Sequence, residues 1–111
     1  MVLVSEPAEI RRKFALEHGA TLVFDPTREA IPIVVRKAVP PGVHVALDAA
    51  GVQASLDSCL SSLRPRGTYL NAALWRTTAN VDIHGSFEGI ESYWWVLILA
   101  ERLFVLYWQR W

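Results

Sequence analysis

Short apolar runs alternate with polar, helix-compatible stretches along roughly the first 80 residues. Val2, Leu3 and Val4 make the first run, which is too short for a helix and does not alternate, as expected of a parallel strand covered on both faces. Pro7 then suits the first turn of a helix, where a missing N–H costs nothing, and Glu9 complements the positive end of the helix dipole. The spacing predicts a helix from Pro7 to His18. Ile10 and Phe14 fall one turn apart on its expected buried side, Arg11, Arg12, Lys13 and Glu17 face largely outward, and Gly19 supplies a C-terminal stop.

The pattern then repeats. Thr21 to Phe24 reads as a second strand closed by Asp25-Pro26-Thr27. The segment from Arg28 to Val39 reads as a helix that must start late or kink, because Pro32 inside a helix costs ~3 kcal/mol. After the Pro40-Pro41-Gly42 turn, Val43 to Ala49 forms a third strand. Leu56, Leu60 and Leu63 mark a third helix ending before Arg64-Pro65-Arg66-Gly67, and Thr68 to Leu74 forms a fourth strand. Strands separated by crossover helices predict an α/β fold with an open parallel sheet and helices on its faces.

Composition narrows the function. The chain has 111 residues, 52% of them apolar, and no formal net charge. That suits one small domain with a modest core and lacks the basic footprint of a nucleic-acid binder. A single cysteine, Cys59, excludes an internal disulfide and any multi-cysteine zinc site. The opening MVLVSEP has neither the basic leader nor the apolar stretch of a signal peptide, so a cytoplasmic location is expected.

In open parallel sheets, ligands bind beyond the carboxyl ends of the strands. Glu6 ends the first strand, where a carboxylate can accept both hydroxyls of an adenosine ribose and repel a 2′-phosphate, favouring NAD over NADP; equally, it can serve as a helix-start acid. Arg11, one turn into the helix, can reach an adenosine or remain a solvated surface group. In Asp48-Ala49-Ala50-Gly51, small side chains admit a ligand close to the backbone, or simply make a tight strand-to-helix turn. Asn71, Ala72 and Ala73 can present main-chain groups to a nicotinamide carboxamide, or Asn71 can satisfy loop backbone. Cys59 sits between Leu56 and Leu60 and reads as packing. His18, His44 and His84 are scattered, and no nucleophile, base and orienting acid form a motif. No catalytic residue and no metal ligand is assigned.

The runs VLVSEPAEIRRKFALEHGATLVFDPT and VALDAAGVQASLDSCLSSLRPRGTYLNAALW, with their spacing, resemble the nucleotide-binding domain of the zinc-dependent medium-chain alcohol dehydrogenases. The wording is most similar to the (R,R)-butanediol and sorbitol dehydrogenase branch, over roughly residues 1–83. The resemblance implies a Rossmann-type fold, NAD as cofactor, and oxidation of a secondary alcohol or vicinal diol at a catalytic zinc. It assigns Glu6 to the ribose, Arg11 to the adenosine side, Ala49, Ala50 and Gly51 to the loop beside the cofactor, and Leu70, Asn71, Ala72 and Ala73 to the nicotinamide side. The family's first strand, its GxGxxG phosphate loop and its zinc domain would precede Met1. The expectation is therefore a partial sheet of four strands and three helices, inactive alone. With the first strand of the order 3-2-1-4-5-6 missing, either the sheet divides in two or the flanking strands close up.

From residue 84 the family pattern lapses, and the chain ends YWWVLILAERLFVLYWQRW, expected as an apolar helical tail. Glu101 and Arg102 interrupt the apolar stretch, which argues against a membrane span. Glu91, Arg102 and Gln109 near one stripe leave open a helix lying on a membrane surface or a partner. An unselected extension is the remaining reading of residues 84–111. Three functions follow: part of a dehydrogenase; an interaction protein pairing with a full-length dehydrogenase, with another copy or with a membrane, through sheet edges or tail; or an incomplete product without folded function.

Overall fold

The structure, a computed structural model, describes residues 1–82 and the backbone of the strands at 93–99 and 103–105. Among these residues the order is β1 (Leu3–Ser5), α1 (Glu9–Glu17), β2 (Leu22–Phe24), α2 (Ile31–Ala38), β3 (Val43–Asp48), α3 (Gln53–Ser62), β4 (Leu63–Asn71), β5 (Tyr93–Leu99) and β6 (Leu103–Val105). Of the two arrangements left open by the sequence, the division is the one adopted. β1 pairs in parallel with β2 as one sheet, and β3, β4, β5 and β6 form a second. The second sheet is parallel except for the antiparallel β5–β6 pair.

The helices begin and end where their chemistry dictates. α1 closes on Gly19 at φ +98°, with the Ala20 N–H donating to the Ala15 carbonyl at 2.9 Å, a Schellman stop that only a residue at ease in the left-handed region makes without strain. α2 starts late, which leaves Pro32 in its first turn, where no N–H is wanted. Gly42, at φ +138°, sits under the α3–β4 junction: a Cβ there would lie 2.6 Å from the Ser62 carbonyl oxygen and 2.7 Å from the Arg64 nitrogen. Arg36, in the last turn of α2, closes the same junction by donating to the carbonyls of Pro41, Ser61 and Leu63 at 2.9, 2.9 and 3.2 Å.

The main core lies between α3 and one face of the second sheet, built on Ala46, Leu56, Leu63 and Tyr69 with Cys59, Leu60 and Trp75 packed against it. On β3, Ala46 and Asp48 point into this core, whereas Val45 and Leu47 on the other face are exposed.

Four expectations are corrected. Leu63 does not end α3 but opens β4, because Arg64 precedes Pro65 and is steered out of the helical region. Three residues of β3, Val43 to Val45, are then matched by six of β4, Leu63 to Thr68. The extra residues form a bulge that absorbs Pro65 and holds Arg66 at φ +65°. Ile10 and Phe14 are not buried; they are 78% and 60% exposed. The face of α1 turned inward is the stripe of Ala8, Arg12 and Ala15, because β1 and β2 form a sheet two strands wide on which small side chains and the stem of Arg12 fit. For the same reason the first two strands are not covered on both faces, and Leu22 is exposed. Finally, the tail is not helical where it is described. Tyr93–Leu99 joins the edge of β4 as a strand and Leu103–Val105 folds back on it. An unbroken aromatic and β-branched run beside an unpaired edge fits a strand better than a helix. Glu91, Arg102 and Gln109, which carried the expected stripe, lie outside the described residues, as does His84.

Candidate functional site

Two clusters stand at the carboxyl ends of the strands, one on each sheet. The first is built on the turn from β1 into α1. Glu6 Oε1 accepts the Ala8 N–H at 2.8 Å and pairs with the Arg11 guanidinium at 2.8 Å. The acid therefore serves the start of α1, as one of the two sequence readings expected, and it does so from just beyond the end of β1. Both bonds fall on Oε1. The arginine pair, then the Ala8 N–H, hold the Glu6 carboxyl below the usual carboxylate range, so it is ionised at neutral pH. Arg11 is exposed beyond this contact.

Arg12 does the opposite of what was expected of it. Instead of facing water it lies inward, 18% exposed, and donates to the carbonyls of Glu6 and Pro7, both at 2.7 Å, while pairing with Asp25 at 3.3 Å. Asp25 in turn accepts the Thr27 N–H at 2.9 Å and hydroxyl at 2.6 Å, and its own N–H donates to Glu29. The Thr27 bonds, then Arg12 and Arg28, hold the Asp25 carboxyl low. The Asp-Pro-Thr turn after β2 is a visible sequence signal for this Asx turn. Nothing in the spacing showed that Arg12 rather than Arg11 turns inward.

The second cluster centres on Asp48, which is 1% exposed. Its Oδ1 accepts the N–H groups of Ala50 and Gly51 at 2.9 and 3.3 Å and the Ser55 hydroxyl at 2.8 Å; its Oδ2 accepts the Tyr69 hydroxyl at 3.0 Å. Burial, reinforced by the Asp48 charge, pushes the Tyr69 hydroxyl well above its ordinary pKa. Asp48 thus shapes the Ala49–Gly51 turn from beneath. Gly51, at φ +67°, lets that turn approach the end of β4: a Cβ there would lie 2.9 Å from the Leu74 oxygen and 3.0 Å from the Ala73 Cβ. The Ala72 N–H donates to the Asp48 carbonyl at 2.8 Å. Asn71 Oδ1 accepts from the Ala73 N–H at 3.0 Å and from the Trp75 indole at 3.3 Å, so this side-chain oxygen serves the loop backbone.

The structure therefore joins Glu6 to Arg11 on one sheet; on the other, β3 pairs with Leu70 and Asn71, Asp48 receives the Ala72 N–H, and Gly51, at the end of the Ala49–Gly51 turn, lies against Ala73. Cys59 packs in the core, and burial pushes its thiol up to about 11. Among the described residues no three His, Cys, Asp or Glu side chains converge as metal ligands would. No helix among them is long and apolar enough to cross a membrane.

Residues 1–89 match the family of zinc-binding dehydrogenases. The L-threonine 3-dehydrogenase of Thermococcus kodakarensis is 32% identical over 84 residues, covering 75% of this chain and 24% of its own. The D-xylulose reductase A of Aspergillus oryzae is 28% identical over 93 residues, covering 70% and 26%. In fold, the 2R,3R-butanediol dehydrogenase of Bacillus subtilis superimposes with a TM-score of 0.78 at 22% identity, over 86% of this chain and 27% of that one. The chain spans about a quarter of the length of the curated relatives it matches.

Proposed function

Because the chain belongs to the zinc-binding dehydrogenase family, we propose that it carries the ribose-side and nicotinamide-side parts of an NAD site belonging to an alcohol or polyol dehydrogenase. The observation that supports this reading most directly is the Glu6 carboxylate at the end of β1, ionised and anchored through Oε1 alone, so that Oε2 can accept ribose hydroxyls. A fixed negative charge there disfavours a 2′-phosphate, so NAD is preferred over NADP. The small side chains of the Ala49–Gly51 turn and of Ala72 and Ala73 beyond β4 support close backbone approach for the nicotinamide half.

NAD, when bound, supplies the hydride acceptor for alcohol oxidation. The chain's own residues would bind and orient it. The sequence holds no GxGxxG, so the pyrophosphate grip is not supplied by such a loop of this chain. Zinc does not fit the described residues, which offer no ligand set, and Cys59 is a packed, protonated thiol. Turnover by this chain alone is not expected. A cytoplasmic setting accords with a lone, reduced cysteine.

Titrating the chain with NAD while following tryptophan fluorescence tests the reading. Saturable binding, weaker for NADP and abolished in Glu6→Ala, is the expected result; a flat titration removes it. A second reading, pairing with another dehydrogenase chain, is favoured by the bare apolar face of β3 at Val45 and Leu47. Co-purification with such a partner, without NAD binding, would support that reading instead.

A further inference from the structure

We propose that Arg12 is the positioning residue for the Glu6 carboxylate: it clamps the two carbonyls of the β1–α1 turn to Asp25 at the end of β2, and so sets where that carboxylate stands. The assignment of the carboxylate to a ribose rests on the NAD reading above; its placement by Arg12 does not.

The turn from β1 into α1 has few other restraints. Its residues Glu6, Pro7 and Ala8 link a three-residue strand to a helix whose N-cap residue, Ala8, makes no side-chain cap bond. The Glu6 N–H is bonded to the Phe24 carbonyl at 3.1 Å, and Glu6 Oε1 to the Ala8 N–H. The carbonyls of Glu6 and Pro7 both receive the same Arg12 nitrogen, Nη1, at 2.7 Å, while Nη2 reaches Asp25 at 3.3 Å. A guanidinium presents its donors in a rigid planar fork, so fixing one nitrogen on the carboxylate and the other on two carbonyls fixes the orientation of the turn as well as its distance from β2. The neighbouring arginine differs in kind. Arg11 meets the Glu6 side chain directly and is 67% exposed, whereas Arg12 touches only Glu6 backbone and is 18% exposed. Asp25 is itself held by Thr27 and Glu29, so the far end of the clamp is built into a closed turn.

A lysine keeps the charge but has one ammonium in place of the planar fork, and cannot reproduce these bonds together. Arg12→Lys and Arg12→Gln are therefore compared with the wild-type full chain by NMR, following the Glu6 side-chain carboxyl through an acid titration and the Ala8 amide resonance. The expected result is a rise of the Glu6 midpoint toward the ordinary glutamate value and a displaced Ala8 amide in both variants. Wild-type behaviour of both signals in Arg12→Lys overturns the proposal, since charge alone would then suffice. A merely structural arginine would lower the unfolding midpoint and leave the Glu6 titration of the folded chain in place, which also overturns it. Should Arg12→Gln fail to fold, Asp25→Asn loosens the far end of the clamp and is expected to move Glu6 in the same direction. NAD titrations on the same samples separate the two ideas. Where wild type binds, Arg12→Lys binds about tenfold more weakly, the scale expected for removing one charge-assisted hydrogen bond. A wild-type chain that ignores NAD removes the cofactor reading, while the Glu6 titration still decides the role of Arg12.

Discussion

Replacing Asp48 with alanine removes the acceptor for four hydrogen bonds at once, but the cost is not four equal parts. The Ala50 and Gly51 amides and the Ser55 hydroxyl are half-buried and can regain water. The Tyr69 hydroxyl is not so placed, since its bond to Oδ2 is buried. The buried bond to a charged group contributes about 1.5–3 kcal/mol and the three half-buried bonds add less, which puts Asp48→Ala at roughly 3–4 kcal/mol. Tyr69→Phe leaves one carboxylate oxygen without its buried partner and should cost about 2 kcal/mol. The double variant is the decisive one. The Tyr69–Asp48 bond is already lost in Asp48→Ala, so the double variant should cost less than the sum of the two single losses. Urea unfolding followed by far-ultraviolet circular dichroism measures all three. Additive losses in the double variant, or an Asp48→Ala loss below about 1 kcal/mol, would refute the view that this carboxylate organises the β3–α3 turn.

Gly42→Ala should lower stability by about 2–4 kcal/mol in a thermal melt, because the new methyl meets backbone of Ser62 and Arg64 that cannot swing aside. Cys59, with its thiol raised to about 11, should react with a thiol reagent at pH 8 more than tenfold slower than free cysteine, since only about one part in a thousand is thiolate there; urea should abolish the difference. Glu6 has a lowered folded pKa, so its contribution is present above the unfolded value of 4.5 and is lost as pH falls through the folded one. Wild type should accordingly lose more stability than Glu6→Gln on acidification below about pH 4.5, which paired denaturant titrations would show.

What could be read from the sequence was set by local chemistry. Gly19 stops α1, Pro32 delays α2, and the small residues of Ala49–Gly51 do mark a strand-end turn, with Gly51 pressed against Ala73 and Leu74 just beyond β4. Ile10 and Phe14 misled because helical spacing shows that an apolar stripe exists, without showing what lies opposite it; a sheet two strands wide took Ala8, Arg12 and Ala15 instead. Leu63 misled because three leucines at helical spacing hid the effect of Pro65 on Arg64. The tail was ambiguous for a different reason: a short continuous apolar run has no periodicity, and an available strand edge decides it. Of the candidate site, Glu6 and Arg11 were visible as separate residues and their pairing was not. Arg12 was invisible, because two adjacent arginines differ only in which way the helix happens to face.

Since β1 and β2 make their own small sheet, the Glu6–Arg11 cluster and the Asp48 cluster should have separate opening energies. Deuterium should enter the amides of Val4 and Val23 well before those of Ala46 and Tyr69. On the NAD reading, a dinucleotide that touched both clusters would slow exchange chiefly in the former pair and would itself help to hold the two sheets together.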